Sequence, residues 1–331
     1  MTVYLFGDTS KIGMTAAHRM TVALAMSCVV SCVLWCARLH DSEPEQEDRW
    51  VAVVLYCQLG NQLFQMASSH GIAKQRAARW CMEDADHRDY VRGLEWLVQP
   101  PERSPGLVVG IPKIISTWYL ASFTILDSGA YATFSDLYAK SPLPRILPWN
   151  CLQSFKYFDR KVPIPFRLKA TPLAKAWVKA RQITTAIHVR RGDKLTDIGN
   201  VVPPLHYFRQ ALLLLSAMFP IEHRYVITTD DPEWVRAQPL FMKMHVLHSE
   251  DMHFDMAVIS QCQHKILSIG TFGWWGAFLT DTGSNQSNAV IYAMPQMEGR
   301  LEAGMNYADY FPQHWTPIDY RSGRTVAPLS E

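Results

Sequence analysis

The sequence predicts an α/β protein built on parallel sheets, and two observations favour this class. In the second half of the chain, short apolar runs of strand length alternate with segments whose apolar residues recur at helical spacing. The first half opens in the same way, with an apolar run at 50–56, a turn, and then a helical pattern. Two such units in tandem would face each other across a cleft, with ligands bound where the strands end.

The individual elements follow from these patterns. In the first unit, Gly60 and Asn61 mark the turn, and Asn61 is expected to cap the first helix. Residues 80–178 contain many prolines and predict no topology, apart from a helix at 166–182 that crosses into the second unit. The strand-length runs of the second unit are 183–189, 225–229, 244–247, 265–269 and 289–292.

An apolar segment precedes the two units. Between Arg19 and Arg38 the chain has 18 residues without a charge, about the length that crosses a bilayer as a helix. Basic residues before it and an acidic stretch after it predict a single-pass protein whose bulk lies outside the cytosol. A cleaved signal peptide and a buried helix are the alternatives. The predicted organisation is a cytoplasmic tail at 1–19, an anchor at 20–37, a stem at 38–49, a first unit at 50–178 and a second unit at 179–331.

Charge and cysteine content narrow the function classes. A formal net charge of +2 over 331 residues argues against a general nucleic-acid binder, so any electropositive site must be local. Three of the seven cysteines fall in the apolar segment, and no Cys/His pattern suggests zinc. The other four, Cys57, Cys81, Cys151 and Cys262, would lie in an oxidising lumen, where two disulfides could form with any of three connectivities.

The stretch TTAIHVRRGDK, residues 184–194, aims several charges at the end of a buried strand. Strand alternation places His188 and Arg190 on one face and Arg191 on the other. An arginine fork suits a diphosphate, because the planar guanidinium can bond two oxygens together. The alternative is a surface turn in which Arg191 pairs with Asp193; an RGD adhesion signal is a weak third interpretation.

A second segment, HKILSIGTFGWWGAFLTD, runs from a buried strand through 270–273 directly into an apolar helix. Glycines let the backbone approach a ligand, and the start of a helix offers unpaired N–H groups and a positive dipole end. This pattern indicates a phosphate-binding turn. Trp274, Trp275 and Phe278 follow it and either line a pocket or pack in the core.

Carboxylates follow two further predicted elements. Asp231 and Pro232 have the types expected at a helix cap and first helical position, and Asp230 beside them could contact a ligand. Asp255, near the start of another helix, could accept hydrogen bonds from a guanine, or could only stabilise the helix dipole. The pair at 84–86, Asp-Ala-Asp, imitates a metal-binding carboxylate pair, but its charged surroundings favour a solvated loop. We expect no metal site.

Taken together, these segments resemble the α-1,2-fucosyltransferase family, an inverting group that uses GDP-fucose. The matching pieces are LGNQLFQMA, LQSFKYF, HVRRGD, DMAVISQCQHKILSIGTFGWWGAFL and NAVIYAM, which fall in this order between residues 59 and 293. The resemblance implies two Rossmann-like domains in a GT-B-type arrangement and a Golgi type II membrane topology. Gln58 departs from the family, which often has glycine there, and residues 80–150 match weakly.

The resemblance also implies roles for individual residues. Arg190 would bind the donor's diphosphate, and His188 and Asp193 would shape its loop. The LGNQ loop would face the cleft and touch donor or acceptor, and Asp255 is the candidate for guanine. Asp193 is the first candidate for the general base, and Asp197 the second. The candidate donor-binding residues are His188, Arg190, Arg191, Asp230, Asp255, Ser268, Gly270, Thr271, Phe272, Gly60 and Asn61.

These residues predict an enzyme that transfers L-fucose from GDP-fucose to the 2-hydroxyl of a β-galactoside with inversion. The expected partners are GDP-fucose, galactoside-terminated glycans and the bilayer, with no nucleic acid. No cofactor or metal is required, because a guanidinium can neutralise the phosphates. The alternatives are a fucosyltransferase of another linkage or acceptor and a catalytically silent Golgi binder of glycans or sugar nucleotides. A sequon at 285–287 would carry a glycan if it is lumenal.

Overall fold

The computed structural model describes residues 49–83, 88–103, 124–128, 132–158, 162–247, 249–281, 287–299 and 301–326. In this part of the chain, two parallel sheets carry nearly all of the strands and are flanked by helices, which confirms the predicted α/β class. The predicted anchor and stem lie outside the described residues. Among the residues that are described, no helix has both the length and the apolar character needed to cross a bilayer.

The first unit is built around a five-stranded sheet of order β4-β2-β1-β6-β5, in which every neighbouring pair is parallel. A separate antiparallel ribbon joins β3 to β7. The elements in chain order are β1 (Trp50–Val54), α1 (Leu59–Gln75), β2 (Arg79–Glu83), α2 (Arg88–Arg92), β3 (Leu94–Trp96), β4 (Glu102–Arg103), β5 (Thr124–Asp127), α3 (Leu137–Lys140), β6 (Arg145–Trp149), a 3₁₀ turn (Phe155–Phe158) and β7 (Phe166–Leu168).

The second unit holds a six-stranded parallel sheet of order β10-β9-β8-β11-β12-β13. Its elements are α4 (Thr171–Arg181), β8 (Thr185–Val189), a 3₁₀ turn (Gly192–Leu195), α5 (Leu205–Met218), β9 (Tyr225–Thr229), α6 (Pro232–Ala237), a 3₁₀ turn (Pro239–Phe241), β10 (His245–Leu247), α7 (Met252–Gln261), β11 (His264–Leu267), α8 (Thr271–Phe278), β12 (Val290–Met294), a 3₁₀ turn (Glu302–Gly304), α9 (Tyr307–Tyr310) and β13 (Thr316–Asp319).

Counted from β8, the strands of this sheet lie in the order 3-2-1-4-5-6, which is the order of dinucleotide-binding folds. All five residues of β8 and all four of β11 are buried, because helices cover both faces of the sheet. The order reverses between these two strands. Ligands of such sheets bind in the crevice at that point, outside the carboxyl ends of the strands.

An aromatic cluster packs the two units together. Phe64 of α1 lies 4.4 Å from Trp274 and 5.1 Å from Trp275, both of α8, between ring centroids. Phe158 stacks on Trp275 at 5.4 Å. Both tryptophans are almost fully buried, so the predicted alternative of core packing, rather than a pocket wall, is confirmed for them. The boundary between the units is therefore a hydrophobic core.

The segment before β13 returns to the first unit. Ala132 forms a bridge with Met305, and its carbonyl oxygen accepts from the backbone N–H of Asn306. Asp309 of α9 forms an ion pair with Lys156 at 2.8 Å. The chain then crosses back and adds β13 to the second sheet, parallel to β12. Each unit thus contains sequence from the end of the described chain.

The structure corrects three sequence-based predictions. The first helix begins at Leu59, so Gln58 is its cap residue and Asn61 already lies within it. The helix predicted at 166–182 covers only Thr171–Arg181, because 166–168 pair as β7. Three of the four cysteines for which disulfides were considered, Cys57, Cys151 and Cys262, are free thiols. Cys262 is buried and donates to the Val258 carbonyl oxygen, as a small core residue does.

Candidate functional site

The candidate site lies at the switch point of the second sheet. Arg190 follows β8, and Gly270 follows β11, so both stand at the carboxyl ends of neighbouring strands. The start of α1 meets them from the first unit. The site is therefore formed by strand ends and by two helix starts, one from each unit.

Arg190 is held by two carboxylates. Its Nη1 lies 2.5 Å from Asp230 Oδ2, and its Nη2 lies 2.5 Å from Asp193 Oδ1. Nη2 also donates to the side-chain amide oxygen of Gln58, at 3.3 Å, across the cleft. The side chain is 20% exposed, so a ligand in the cleft can reach it. These contacts fix the direction of a guanidinium that still has further N–H donors.

Asp230 explains the glycine of the RRGD stretch. Its Oδ1 accepts the backbone N–H of Arg191 at 2.8 Å, while its Oδ2 binds Arg190. A Cβ on Gly192 would collide with Asp230 Oδ2, so only glycine lets the carboxylate lie against the loop. Asp230 was predicted as a ligand contact. The structure shows that Asp230 supports both arginines, and its contact with a ligand stays a prediction.

Arg191 points away from Arg190. Its guanidinium lies 3.9 Å from the ring centroid of Trp234, and its Nε donates to Asp231 Oδ2 at 3.1 Å. The predicted alternative in which Arg191 pairs with Asp193 is therefore wrong, because Asp193 pairs with Arg190 and Lys194. Asp231 caps α6 by accepting from the Trp234 N–H, as predicted. Arg191 thus ties the loop to α6 rather than to the cleft.

His188 and Ser268 join the two central strands. Ser268 Oγ accepts the backbone N–H of Arg190 at 2.8 Å and lies 3.3 Å from His188 Nδ1. The imidazole stacks on Phe272, and a Cβ on Gly273 would collide with it. Burial, and then the Arg190 charge, lower the pKa of His188 to about 3, so the ring is neutral. His188 therefore packs against the residues of the site, and its role in donor binding stays a prediction.

The turn before α8 has the predicted form. Gly270 caps the helix with φ at 91°, a left-handed conformation that favours glycine. Its N–H donates to Gln296 Oε1 at 3.1 Å, and the Gln296 amide nitrogen donates to the Ser268 carbonyl oxygen. Gln296 is buried. The N–H of Gly270, which the sequence assigned to phosphate, is therefore used inside the protein, and the first turn of α8 supplies the donors.

The LGNQ turn touches this helix directly. Asn61 Oδ1 accepts from Thr271 Oγ1 at 3.1 Å and from Gln153 Nε2 at 2.7 Å. A Cβ on Gly60 would lie 2.5 Å from Thr271 Oγ1, so glycine is needed for the close approach of the two helices. The prediction that this loop faces the cleft is confirmed. The positive ends of two helices converge beside Arg190.

Both candidates for the general base lie in the loop after Arg190. Burial alone raises the pKa of the Asp193 carboxyl, but the Arg190 and Lys194 charges outweigh it and hold that pKa below its usual value. A carboxylate with two cationic partners is a weak base, and its contact shows that it orients Arg190. Asp197 contacts Lys194 at 2.6 Å and is about half exposed. The identity of the base stays a prediction.

Asp255 lies in the first turn of α7, where Asp251 is the cap residue. Its Oδ1 accepts from Ser249 Oγ at 2.7 Å. His253 of the same turn contacts the first unit, with Nε2 2.6 Å from the Tyr90 carbonyl oxygen. Asp255 therefore stands near the boundary between the units, and its assignment to guanine stays a prediction. The pair at 84–86 and the sequon asparagine at 285 lie outside the described residues.

Three glutamines form part of the site, although the sequence did not assign them a role. Gln58 contacts Arg190, Gln153 contacts Asn61, and Gln296 braces the turn before α8. Gln153 fell within a segment already recognised as family-like, and Gln58 was noted only as a departure. An amide side chain at an isolated position belongs to no periodic pattern, so its role cannot be predicted from the sequence. It depends on which residues the tertiary structure brings into contact.

Chemically, the site suits a diphosphate. It places one guanidinium between the starts of two helices, and all three favour an anion. Asp193 and Asp230 fix the two terminal nitrogens of the guanidinium, which stays partly exposed and also contacts Gln58 across the cleft. No cluster of metal-ligating side chains occurs among the described residues.

Sequence comparison finds similarity to known glycosyltransferases. Residues 178–316 match the model of glycosyl transferase family 11. The chain is 24% identical over 297 residues to a galactoside 2-alpha-L-fucosyltransferase of Caenorhabditis elegans, covering 81% of this chain and 79% of the relative. It is 30% identical over 142 residues to galactoside alpha-(1,2)-fucosyltransferase 1 of Alouatta belzebul, covering 40% of this chain and 37% of the relative.

A solved structure is also similar in part. A mutant of FUT1 from Arabidopsis thaliana in complex with GDP superposes with a TM-score of 0.48 and 11% sequence identity. The superposition covers 88% of this chain and 85% of the solved chain.

Proposed function

We propose that the protein, whose residues 178–316 match the model of glycosyl transferase family 11, transfers L-fucose from GDP-fucose to the 2-hydroxyl of a β-galactoside. The product would carry an α-1,2 linkage, formed with inversion at the anomeric carbon. The two parallel sheets would act as the halves of a GT-B-type enzyme, with the donor in the second unit and the acceptor facing the first.

One observation carries the proposal. Arg190 stands at the switch point of a sheet with dinucleotide-fold order, and Asp193 and Asp230 aim it into the crevice. Helix α8 starts at the neighbouring strand end, and α1 starts opposite. This is the arrangement that a nucleoside diphosphate leaving group requires, because its charge is met by a fixed cation and by helix dipoles.

The chemistry follows from this geometry. When the bond between fucose C1 and the phosphate oxygen breaks, negative charge develops on the β-phosphate. Arg190, with backbone N–H groups in the first turn of α8, stabilises that charge without reorganising, because its partners already hold it. The galactose 2-hydroxyl attacks from the opposite face, and a carboxylate of the loop, Asp193 or Asp197, takes its proton.

Two further features belong to this proposal. No metal or cofactor is required, since Arg190 neutralises the diphosphate. The protein lies in the Golgi membrane as a single-pass type II protein, with its catalytic units in the lumen; the charges flanking the apolar segment at 20–37 support this orientation.

The test is an assay of the purified protein with GDP-fucose and a small panel of β-galactosides, with and without EDTA. We expect transfer to a terminal galactose, an α-1,2 linkage in the product, and full activity in EDTA. A product with another linkage would point to a different fucosyltransferase. GDP-fucose binding without transfer or hydrolysis would indicate a silent binder, and loss of activity in EDTA that Mn²⁺ restores would contradict metal independence.

A further inference from the structure

Gln58 is the contact that Arg190 makes with the opposite unit. The residue precedes α1, and its backbone carbonyl oxygen accepts from the N–H groups of Asn61 and Gln62. Its side chain is exposed and takes no part in capping the helix. The backbone of Gln58 is therefore fixed, while its side chain can change partner at little cost to the helix.

Among the described residues, three partners hold the guanidinium of Arg190, and they do so with unequal strength. Asp193 and Asp230 are charged and lie 2.5 Å from the guanidinium nitrogens. Gln58 is neutral, and its amide oxygen lies 3.3 Å from Nη2, beyond the usual range for this bond. Charge-assisted hydrogen bonds are about twice as strong as neutral ones. Of the three partners, Gln58 is the one that an incoming anion can displace most easily.

Nη2 is also the nitrogen that is needed for bidentate binding of a phosphate. Each terminal guanidinium nitrogen carries two N–H groups, and those of Nη2 serve Asp193 and Gln58. A phosphate that binds two guanidinium nitrogens together must use an N–H of Nη2, because the N–H groups of Nε and Nη1 point in different directions. Since Asp193 is bound in an ion pair, the N–H that faces Gln58 is the one a phosphate takes.

We propose that Gln58 competes with the donor's diphosphate for Arg190 Nη2 and is a positioning residue of the donor site. This inference rests on the proposed function. The Gln58 amide keeps the guanidinium aligned across the cleft, and a β-phosphate oxygen replaces the amide oxygen when GDP-fucose binds. The affinity for the nucleotide is therefore set partly by a residue of the acceptor-side unit.

The proposal predicts that two substitutions of Gln58 change the Kd for GDP in opposite directions. Gln58→Ala removes the competitor, so the Kd for GDP should fall by about 2- to 5-fold, in the range of exposed charged contacts. Gln58→Glu converts the neutral competitor into an anion that pairs with Arg190 and repels the phosphates. The Kd for GDP should then rise by about 10-fold or more, and added salt should reduce that difference.

The experiment is calorimetric titration of the wild type, Gln58→Ala and Gln58→Glu with GDP, followed by steady-state kinetics with GDP-fucose. The matched control is Gln75→Glu, which makes the same charge change at the exposed far end of α1. We expect the control to match the wild type. In Gln58→Ala, KM for GDP-fucose should fall while kcat changes less than about twofold, a split that a purely structural role would not produce.

Two results would overturn the inference. A weaker affinity for GDP in Gln58→Ala would make Gln58 a direct ligand contact, and an unchanged affinity in Gln58→Glu would show that Gln58 does not compete. Either result can occur while the wild type binds GDP and transfers fucose, so neither result would contradict the proposed function. Failure of the wild type to bind GDP would overturn both together.

Discussion

At the residue scale, some charged side chains of the site hold neighbouring residues in place, and others stay available to a ligand in the cleft. Asp193 and Asp230 hold the terminal nitrogens of Arg190 beside the cleft, whereas Arg191 contacts Asp231 and Trp234. Two adjacent arginines thus have different tasks. The difference arises from alternation at the strand end, which sends consecutive side chains to opposite faces.

The first prediction concerns Arg190. Arg190→Lys should lower kcat by roughly 10² or more, because an ammonium cannot bond two phosphate oxygens in a fork or keep two carboxylates in place. Steady-state kinetics with GDP-fucose and a galactoside acceptor measure the effect, and circular dichroism confirms the fold. Near-normal turnover in a folded variant would remove the central role of Arg190.

The second prediction concerns a buried histidine in α1. Burial, and then the charge of Lys74, lower the pKa of His70 to about 4, and its Nδ1 has no hydrogen-bond partner among the residues that the structure describes. In the unfolded chain the imidazole of His70 is protonated with a pKa of about 6.5, whereas in the folded protein it stays neutral down to about pH 4. The free energy of unfolding therefore falls as the pH falls from about 6.5 towards 4. His70→Phe should remove this loss, which is worth about 2 kcal/mol at pH 5.

Urea denaturation of the wild type and His70→Phe at pH 7.5 and pH 5 measures this contribution. We expect the variant to be close to the wild type at pH 7.5 and to lose less stability at pH 5. The phenyl ring can keep the edge-to-face contact with Trp80, whose centroid lies 5.1 Å away. Identical pH dependence in the two proteins would show that His70 is not buried in its neutral form.

At the scale of elements, the site depends on how closely α1 and α8 approach. Gly60 packs against Thr271, and Asn61 accepts from the same threonine. Gln296 holds the start of α8 from behind, through Gly270 and the Ser268 carbonyl oxygen. The two helix starts are thus fixed to each other, and a small displacement of either would move the anion-binding N–H groups.

The third prediction tests this approach. In Gly60→Ala, the new Cβ would lie 2.7 Å from the carbonyl carbon of Thr271, so backbone must shift. We expect a loss of about 1–3 kcal/mol in unfolding free energy and a fall in kcat of about 10-fold or more, because catalytic geometry tolerates little displacement. Gln75→Ala, at the exposed end of the same helix, should change neither quantity.

At the scale of the whole molecule, the two units share one core. Rings from α1, the 3₁₀ turn at 155–158 and α8 interdigitate, and Trp274 Nε1 donates to the Tyr310 carbonyl oxygen. Inter-domain surfaces that allow hinge motion are smaller and more polar. We therefore expect the units to unfold together rather than separately.

The fourth prediction follows from this shared core. Trp275 is fully buried, and its ring contacts Phe64, Phe158 and Phe166. Trp275→Ala should cost about 3–5 kcal/mol, and hydrogen exchange should show protection falling in both sheets at once. Trp275→Phe should cost less, since it keeps a ring and removes an indole N–H that has no partner in the described part of the chain. Loss confined to one sheet would show that the units are independent.

Sequence alone predicted the parts of the fold that depend on local pattern. The strand 225–229 was predicted with its observed bounds, because its apolar run is bounded by polar residues. Asn61 was misplaced as a cap because its preference for that position was outweighed by contacts with Gln153 and Thr271. The strand at 316–319 was missed, since it has no distinct apolar run and forms only by pairing with β12.

In the candidate site, too, the features with a local sequence pattern were predicted and those that depend on tertiary contacts were not. Arg190 and the turn at 270–273 were identifiable, because charge at a strand end and glycines before a helix are local signals. The roles of Asp230 and Gln296 were not, since each depends on which neighbour lies within reach. Ligand assignments such as that of Asp255 to guanine remain predictions.

Residues 301–315 leave the second sheet and contact the first unit before the chain returns as β13. This path limits how the units of this protein can be exchanged with those of a relative. A chimaera that imports the first unit of a relative would bring a surface shaped for that relative's own returning segment, and would lose the Ala132–Met305 bridge and the Lys156–Asp309 pair. Exchange of the first unit therefore requires that residues 301–315 are transplanted together with it.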